Sequence, residues 1–427
     1  MEYGLIGMPL GHSFSQEIHE SLGLYHYELL PLESQEFHAF MQKRAFRGIN
    51  VTIPYKQEVI PYLDEIDPLA AEIGAVNCVV NRAGKLFGYN TDLAGMQALV
   101  TRLGLNLQGK KVLICGTGGT SKTARTMAHA AGAAQVIRLS RTAKAGAAYA
   151  DTITYAQAYN EHGNAQIIVN TTPSGMFPHN GEWAINAAAF SQLEGIIDAV
   201  YNPLETALVQ QGHTLDIPAE GGLYMLVAQA VYAAKYFAGE AFAQALTNNG
   251  ETTATLCERI FNKLERKKRN MVLIGMPGCG KSTVGAFLAK KTGRTLIDTD
   301  QLVFEMSGKT PDQIITEDGE EAFRAVETQA IAQAGKETSS IIATGGGAIL
   351  RPQNIAALKQ NGLLYFIDRP PELLVPTQNR PLSSSPEKLA QLYHERLPRY
   401  TACADFIIPA NCSALHVAQQ IEERHSA

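Results

Sequence analysis

The chain has 427 residues, of which 36 are basic and 41 acidic, for a net charge of −5. That length exceeds what one hydrophobic core supports and points to about three structural units. The mildly acidic balance argues against a nucleic-acid partner held by phosphate neutralisation, and no run reaches the roughly 18 apolar residues of a membrane span.

Six scattered cysteines form no C-x-x-C pair, and the start, Met1-Glu2-Tyr3-Gly4, has neither the basic nor the apolar stretch of a leader. A soluble cytoplasmic protein with reduced thiols and small-molecule partners is expected.

Short apolar runs alternate with longer helical patterns, as in strand-helix-strand units with parallel sheets. Strands are expected at 3–6, 48–52, 112–115, 136–139, 167–170, 195–199, 271–274, 340–343 and 363–367. The first leads to Gly11-His12-Ser13-Phe14-Ser15, which puts two hydroxyls on one side of a turn. Asn50-Val51-Thr52-Ile53-Pro54-Tyr55-Lys56 ends the second in polar groups, and Ala75-Val76-Asn77 and Gly88-Tyr89-Asn90-Thr91-Asp92 follow. Taken singly, these are turn and cap chemistry.

The strand at 112–115 opens into Gly116-Thr117-Gly118-Gly119 and an alanine-rich helix. Missing side chains there let backbone amides approach a pyrophosphate at a helix N-terminus. Ser121 stands where the dinucleotide fingerprint has its third glycine, so the turn alone is weak. The end of the next strand sharpens it. Ser140-Arg141-Thr142-Ala143-Lys144 has no acid for a ribose 2′-hydroxyl, and Arg141 and Lys144 suit a 2′-phosphate, which favours NADPH over NADH.

Asn170-Thr171-Thr172-Pro173, Asp198-Ala199-Val200-Tyr201-Asn202-Pro203 and Gly221-Gly222-Leu223-Tyr224-Met225, running on to Gln229, complete the first half. From Thr247 the sequence turns polar, then helical and basic. It is read as a linker helix at 249–269 between domains at 1–248 and 270–427, its terminal cations suiting the helix dipole.

Gly275-Met276-Pro277-Gly278-Cys279-Gly280-Lys281-Ser282-Thr283 is a complete G-x-x-x-x-G-K-[ST] loop with an apolar run before it and a helical pattern after it. Both neighbours are what a phosphate cradle requires. Behind it come Asp298-Thr299-Asp300, Gly319-Glu320-Glu321-Ala322-Phe323-Arg324 with Glu327, Thr344-Gly345-Gly346-Gly347, Asn379-Arg380-Pro381-Leu382 and Glu395-Arg396.

The first series of motifs, from Ser13 to Gln229, resembles the shikimate dehydrogenase family. The resemblance implies an α/β substrate domain (1–100 and 220–246) split around a Rossmann-type NADP domain (101–219). It implies hydride transfer between NADPH and the carbonyl of 3-dehydroshikimate, giving shikimate. Ser13, Ser15 and Tyr201 would bind the substrate carboxylate, and Thr52, Asn77 and Gln229 the ring oxygens. Lys56 would donate to the developing alkoxide while Asp92 orients it. Gly116, Gly118 and Gly119 would face the pyrophosphate, and Gly222 and Met225 the nicotinamide. The paired serines go with shikimate rather than quinate.

The second series resembles shikimate kinase, which implies a P-loop domain with a parallel sheet that phosphorylates the 3-hydroxyl of shikimate. Gly278, Cys279, Gly280, Lys281, Ser282 and Thr283 would cradle ATP, with Ser282 and Asp298 holding Mg²⁺. Asp300 would accept the hydroxyl proton, Arg324 and Arg396 would grip the carboxylate, and Gly346 would bring backbone to a ring hydroxyl. Arg380 would close on the phosphoryl group with a lid. The family's adenine-stacking arginine is missing, since Leu374-Val375-Pro376 stands in its place.

The two resemblances together imply consecutive steps of the aromatic (chorismate) pathway on one chain. A quinate-type NAD dehydrogenase joined to another hydroxy-acid kinase is a second reading, against which Ser15, Arg141 and Lys144 count. A non-catalytic ligand sensor is a third, against which Lys56, Asp92, Lys281, Ser282 and Asp300 count.

Overall fold

Six strands build the first sheet: β1 (Tyr3–Gly7), β2 (Glu28–Pro31), β3 (Gly48–Val51), β4 (Glu65–Ile66), β5 (Cys78–Arg82) and β6 (Lys85–Tyr89), in the order β2-β1-β3-β5-β6-β4. The computed structural model describes residues 1–10, 13–375 and 385–426. Parallel pairing was expected, yet β5 runs antiparallel to both β3 and β6. The reason is local: Ala83 and Gly84 take φ of 53° and 88°, the pair of positive values that a two-residue hairpin turn needs to match strand twist.

The second sheet is parallel throughout: β7 (Lys111–Cys115), β8 (Gln135–Ser140), β9 (Thr152–Thr154), β10 (Ile167–Asn170), β11 (Gly195–Asp198) and β12 (Ala219–Glu220), ordered β12-β11-β10-β7-β8-β9. All four residues of β10 and the last four of β7 are buried, as strands covered by helices on both faces require. Strand order reverses between β7 and β10, where such sheets open a ligand crevice at their carboxyl ends.

Helices Thr91–Arg102 and Leu223–Ala238 pack along one another. A Cβ on Gly95 would lie 2.6 Å from the Met225 carbonyl oxygen, so only glycine permits this approach. The contact brings the Gln229 turn beside the start of the Thr91 helix.

These two sheets belong to one unit, Met1–Asn202 with Thr206–Leu264; the other is Pro203–Glu205 with Glu265–Ala427. The polar stretch read as a linker is largely a packed helix, Thr253–Lys268, which buries Leu256, Cys257, Ile260, Phe261 and Leu264. Phe261 meets the Tyr224 ring at 5.4 Å, and Arg102 lies over both rings while pairing with Glu258. The first unit therefore runs to Leu264 and not to 248.

The second unit holds a parallel sheet of β13 (Asn270–Ile274), β14 (Thr295–Asp298), β15 (Ser340–Ala343), β16 (Gly362–Asp368) and β17 (Phe406–Pro409), ordered β14-β15-β13-β16-β17. Leu273, Ile342 and Phe366 lie in its core. Central β13 feeds the glycine-rich loop. Among the described residues no helix is long and apolar enough to cross a membrane, and no group of three or more His, Cys, Asp or Glu is placed to hold a metal. All six cysteines are unbridged.

Candidate active sites

In the first unit, Lys56 Nζ donates to Asp92 Oδ2 at 2.5 Å, and Asn77 Nδ2 donates to Asp92 Oδ1 at 2.8 Å. Asp92 sits in the first turn of its helix, where the dipole favours a carboxylate. Each of its oxygens is thus held by one donor. Asn77 was expected on a substrate oxygen. One of its two Nδ2 hydrogens goes to Asp92, and its Oδ1 accepts the Thr91 N–H at 2.7 Å.

Gln229 joins this cluster through Thr91, whose Oγ1 lies 3.5 Å from Gln229 Oε1. Thr52 lies at the end of β3, its N–H donating to Ile6 O at 2.9 Å. Ser13 Oγ donates to Ser15 Oγ at 3.1 Å. Between them Phe14 meets the Tyr201 ring at 5.6 Å. Burial raises the Tyr201 pKa and so keeps its proton available for donation. Gly11 and His12 of this motif lie outside the described residues.

At the crevice of the second sheet, Gly116 takes φ of 105° to turn the chain out of β7. Gly118 caps the helix Gly119–Ala130, and a Cβ on either Gly118 or Gly119 would meet nothing within 4 Å. Internal packing does not require those two glycines. They leave open the space over unpaired helix-terminal amides, which fits a pyrophosphate. Ser121 Oγ donates to Gly116 O at 2.8 Å and pins the turn.

Lys144 Nζ reaches back to Thr117 Oγ1 at 3.0 Å, so its cation lies at the glycine turn, and Arg141 is exposed just after β8. Gly222 has a packing reason of its own, because a Cβ there would lie 2.3 Å from Ala199 O; Met225 is buried beside Gly95.

Sequence reasoning gave Asp198 no role. It is fully buried at the end of β11, where burial pushes its pKa up to about 6. It accepts from Asn170 Nδ2 (2.8 Å), Val200 N–H (3.0 Å) and Thr206 Oγ1 (2.7 Å), tying together the loops after β10 and β11. Two polar residues ending neighbouring strand patterns were the available signal.

In the second unit, Gly280 takes φ of 98° as it opens the helix Lys281–Thr292. Lys281 Nζ is buried across the loop and donates to Gly275 O (2.8 Å) and Met276 O (2.9 Å). Cys279 is buried with its N–H on Met276 O, and Gly278 lies against the Val375 carbonyl. Thr283 is exposed at the helix start. Ser282 Oγ donates to Asp298 Oδ2 at 2.8 Å, an oxygen pair that fits a hard cation. Asp298 Oδ1 accepts the Asp300 N–H at 3.0 Å and caps the helix Thr299–Ser307, which fixes Asp300 in its first turn.

Arg324 donates to Glu327 (2.7 Å) and Glu320 (3.0 Å), and Arg396 Nη1 donates to Gly346 O at 2.9 Å. A Cβ on Gly345 would lie 2.9 Å from Glu327 Oε1 and 3.0 Å from Asp300 Oδ1, and one on Gly347 would strike the Arg324 guanidinium. These contacts draw Asp300, Arg324, Glu327 and the glycine turn together. Gly346 was expected on a ring hydroxyl, but its carbonyl is filled by Arg396 and Tyr400, and a Cβ there would strike Pro277 of the phosphate loop. A ring contact would fall to its N–H alone. Arg380 and Pro376 lie outside the described residues.

Comparison with known proteins follows the same division. The family model for the shikimate dehydrogenase substrate binding domain matches residues 5–79, and that for shikimate kinase matches 277–425. Shikimate dehydrogenase (NADP(+)) of Halothermothrix orenii is 39% identical over 261 residues, which are 55% of this chain and 90% of that protein. Shikimate dehydrogenase 1 from Peptoclostridium difficile superposes with a TM-score of 0.53 at 30% identity, over 61% of this chain and 97% of that one. A chorismate mutase/shikimate 5-dehydrogenase fusion protein from Clostridium acetobutylicum does so at 0.55 and 28%, over 62% and 97%. The chain belongs to the shikimate dehydrogenase family and carries a shikimate kinase domain behind it.

Proposed function

We infer that this protein is a bifunctional shikimate-pathway enzyme, reducing 3-dehydroshikimate to shikimate with NADPH in its first unit and phosphorylating shikimate with ATP in its second. The observation that supports the reading is that the residues of the two motif series gather separately, one set in each unit. Lys56, Asp92 and Asn77 meet in one unit; in the other Lys281 spans the phosphate loop, Ser282 donates to Asp298, and Asp298 holds the Asp300 N–H.

Bound NADPH would supply a hydride, and Mg²⁺ held by Ser282 and Asp298 would screen phosphate charge. Lys56 donates to the carbonyl oxygen as negative charge develops on it, and Asp92 keeps that ammonium aimed. Ser13, Ser15 and Tyr201 hold the carboxylate, while Thr52, Asn77 and Gln229 hold ring oxygens. Arg141 and Lys144 select the 2′-phosphate. In the kinase, Asp300 accepts the proton of the 3-hydroxyl, and Arg324 and Arg396 bind the carboxylate. Arg380 is assigned to phosphoryl transfer on its lid motif alone. Six unbridged thiols suit a reducing cytoplasm.

Two variants of the full chain test the reading. Lys56→Ala should lower reduction by about 10²- to 10⁴-fold and leave shikimate phosphorylation intact. Lys281→Ala should do the reverse. Loss of both activities in either variant, or of neither, would contradict it.

A further inference from the structure

Behind the Lys56–Asp92 pair lies a buried chain of hydrogen bonds that begins at Tyr27. This residue directly precedes β2 and is fully buried, with the His19 ring stacked on it at 3.9 Å and an interplanar angle of 5°. Its hydroxyl donates to Asn50 Oδ1 at 2.7 Å. Asn50, in β3 and 4% exposed, donates from Nδ2 to Asn77 O at 3.1 Å, the same oxygen that accepts the Val51 N–H at 2.9 Å. The Asn77 side chain then holds Asp92.

A primary amide presents an oxygen and an NH₂ of nearly one shape, so hydrogen bonds alone decide which way it faces. At Asn50 the Asn77 carbonyl, an acceptor only, sets the direction, and the Tyr27 hydroxyl secures it by donating to the amide oxygen. The amide oxygen faces the phenol and the NH₂ faces Asn77. Turned over, Asn50 would set oxygen against the Asn77 carbonyl and leave the buried Tyr27 proton without its acceptor. Burial pushes the Tyr27 phenol pKa well above its ordinary value, so its proton remains available at any working pH.

We propose that Tyr27 is a positioning residue of the reductase, setting Asp92 opposite Lys56 through Asn50 and Asn77. It touches neither substrate nor coenzyme. The inference rests on the reading of Lys56 and Asp92 as the reacting pair, and on the steep dependence of rate on sub-ångström placement.

The test is Tyr27→Phe in the full chain, which removes one oxygen and keeps the ring stacked on His19. Hydride transfer measured in a single turnover should slow by about tenfold, with KM for 3-dehydroshikimate and for NADPH within about twofold of wild type. Kinase turnover, read on the same molecules, should not change. Asn50→Asp keeps the oxygen facing Tyr27 and removes the donor to Asn77, so it should slow hydride transfer similarly. The double variant should be no slower than the slower single one, because one chain is broken once. Transfer within twofold of wild type in Tyr27→Phe, a loss confined to KM, or additive losses would overturn the inference. A wild-type chain that does not reduce 3-dehydroshikimate would overturn the functional reading beneath it.

Discussion

Arg324 Nη1 donates to Glu327 Oε2 at 2.7 Å, three residues along one helix, and Glu327 Oε1 is left buried without a hydrogen-bond partner. Burial raises the Glu327 pKa, and the Arg324 cation opposes that rise. In the proposed kinase the guanidinium would have two tasks, one toward the neighbouring carboxylate and one toward the carboxylate of shikimate.

Arg324→Ala should raise KM for shikimate at least tenfold, since a charge-assisted hydrogen bond is worth about 1.5–3 kcal/mol. It should also destabilise the kinase unit by about 3 kcal/mol, because one member of an enclosed ion pair is left behind. Adding Glu327→Gln should restore much of the thermal stability and none of the affinity. Calorimetry and shikimate titration check both arms, and recovery of affinity in the double variant would mean that Arg324 does not touch substrate.

Coenzyme choice should rest on Arg141 and Lys144. Arg141→Ala should raise KM for NADPH about tenfold and leave that for NADH nearly unchanged, since NADH lacks the 2′-phosphate. Equal losses for both coenzymes in steady-state kinetics would make Arg141 structural.

Among the described residues each unit buries one histidine. Burial lowers the pKa of His19 to about 3; burial and then the Arg294 charge lower that of His425 to about 4. Unfolded, both titrate near 6.5. The unfolded chain thus binds more protons between pH 6.5 and those values, and stability falls as pH drops through that window, by up to about 1.4 kcal/mol per pH unit for each histidine. His425→Gln should be less stable than wild type at pH 7.5 yet lose less on going to pH 5. Melting curves that shift in parallel would show that His425 does not titrate on unfolding.

The central strands of the three sheets and both glycine-rich loops were legible because each rests on local pattern. Val112 to Cys115 and Met271 to Ile274 are apolar runs that end in glycine turns. The β5–β6 hairpin was not, because its turn is Ala83-Gly84 and carries no Asn-Gly or Asp-Gly signature. The helix Thr253–Lys268 was visible as a helix, but its apolar positions at 256, 260, 261 and 264 were passed over in favour of its charges. The pairing of Lys56 with Asp92 was legible from motif; the Asn77 contact to Asp92 was not, because it joins residues that only the folded sheet brings together.

That packed helix sets where the reductase can be cut. A fragment ending at 264 should be soluble and reduce 3-dehydroshikimate at a rate near that of the full chain. One ending at 248 loses the Phe261 contact with Tyr224 and the Glu258 partner of Arg102, and should melt several degrees lower or aggregate. Equal melting temperatures for the two fragments would contradict the packing.

The central claim is that one chain carries out both steps, and a single reaction started from 3-dehydroshikimate, NADPH and Mg-ATP tests it. NADPH oxidation and ADP release, followed together, should both require 3-dehydroshikimate and approach one ADP per NADPH oxidised, with phosphorylated shikimate as the product. NADPH oxidation without ADP release, or ADP release unchanged when NADPH is withheld, would contradict it.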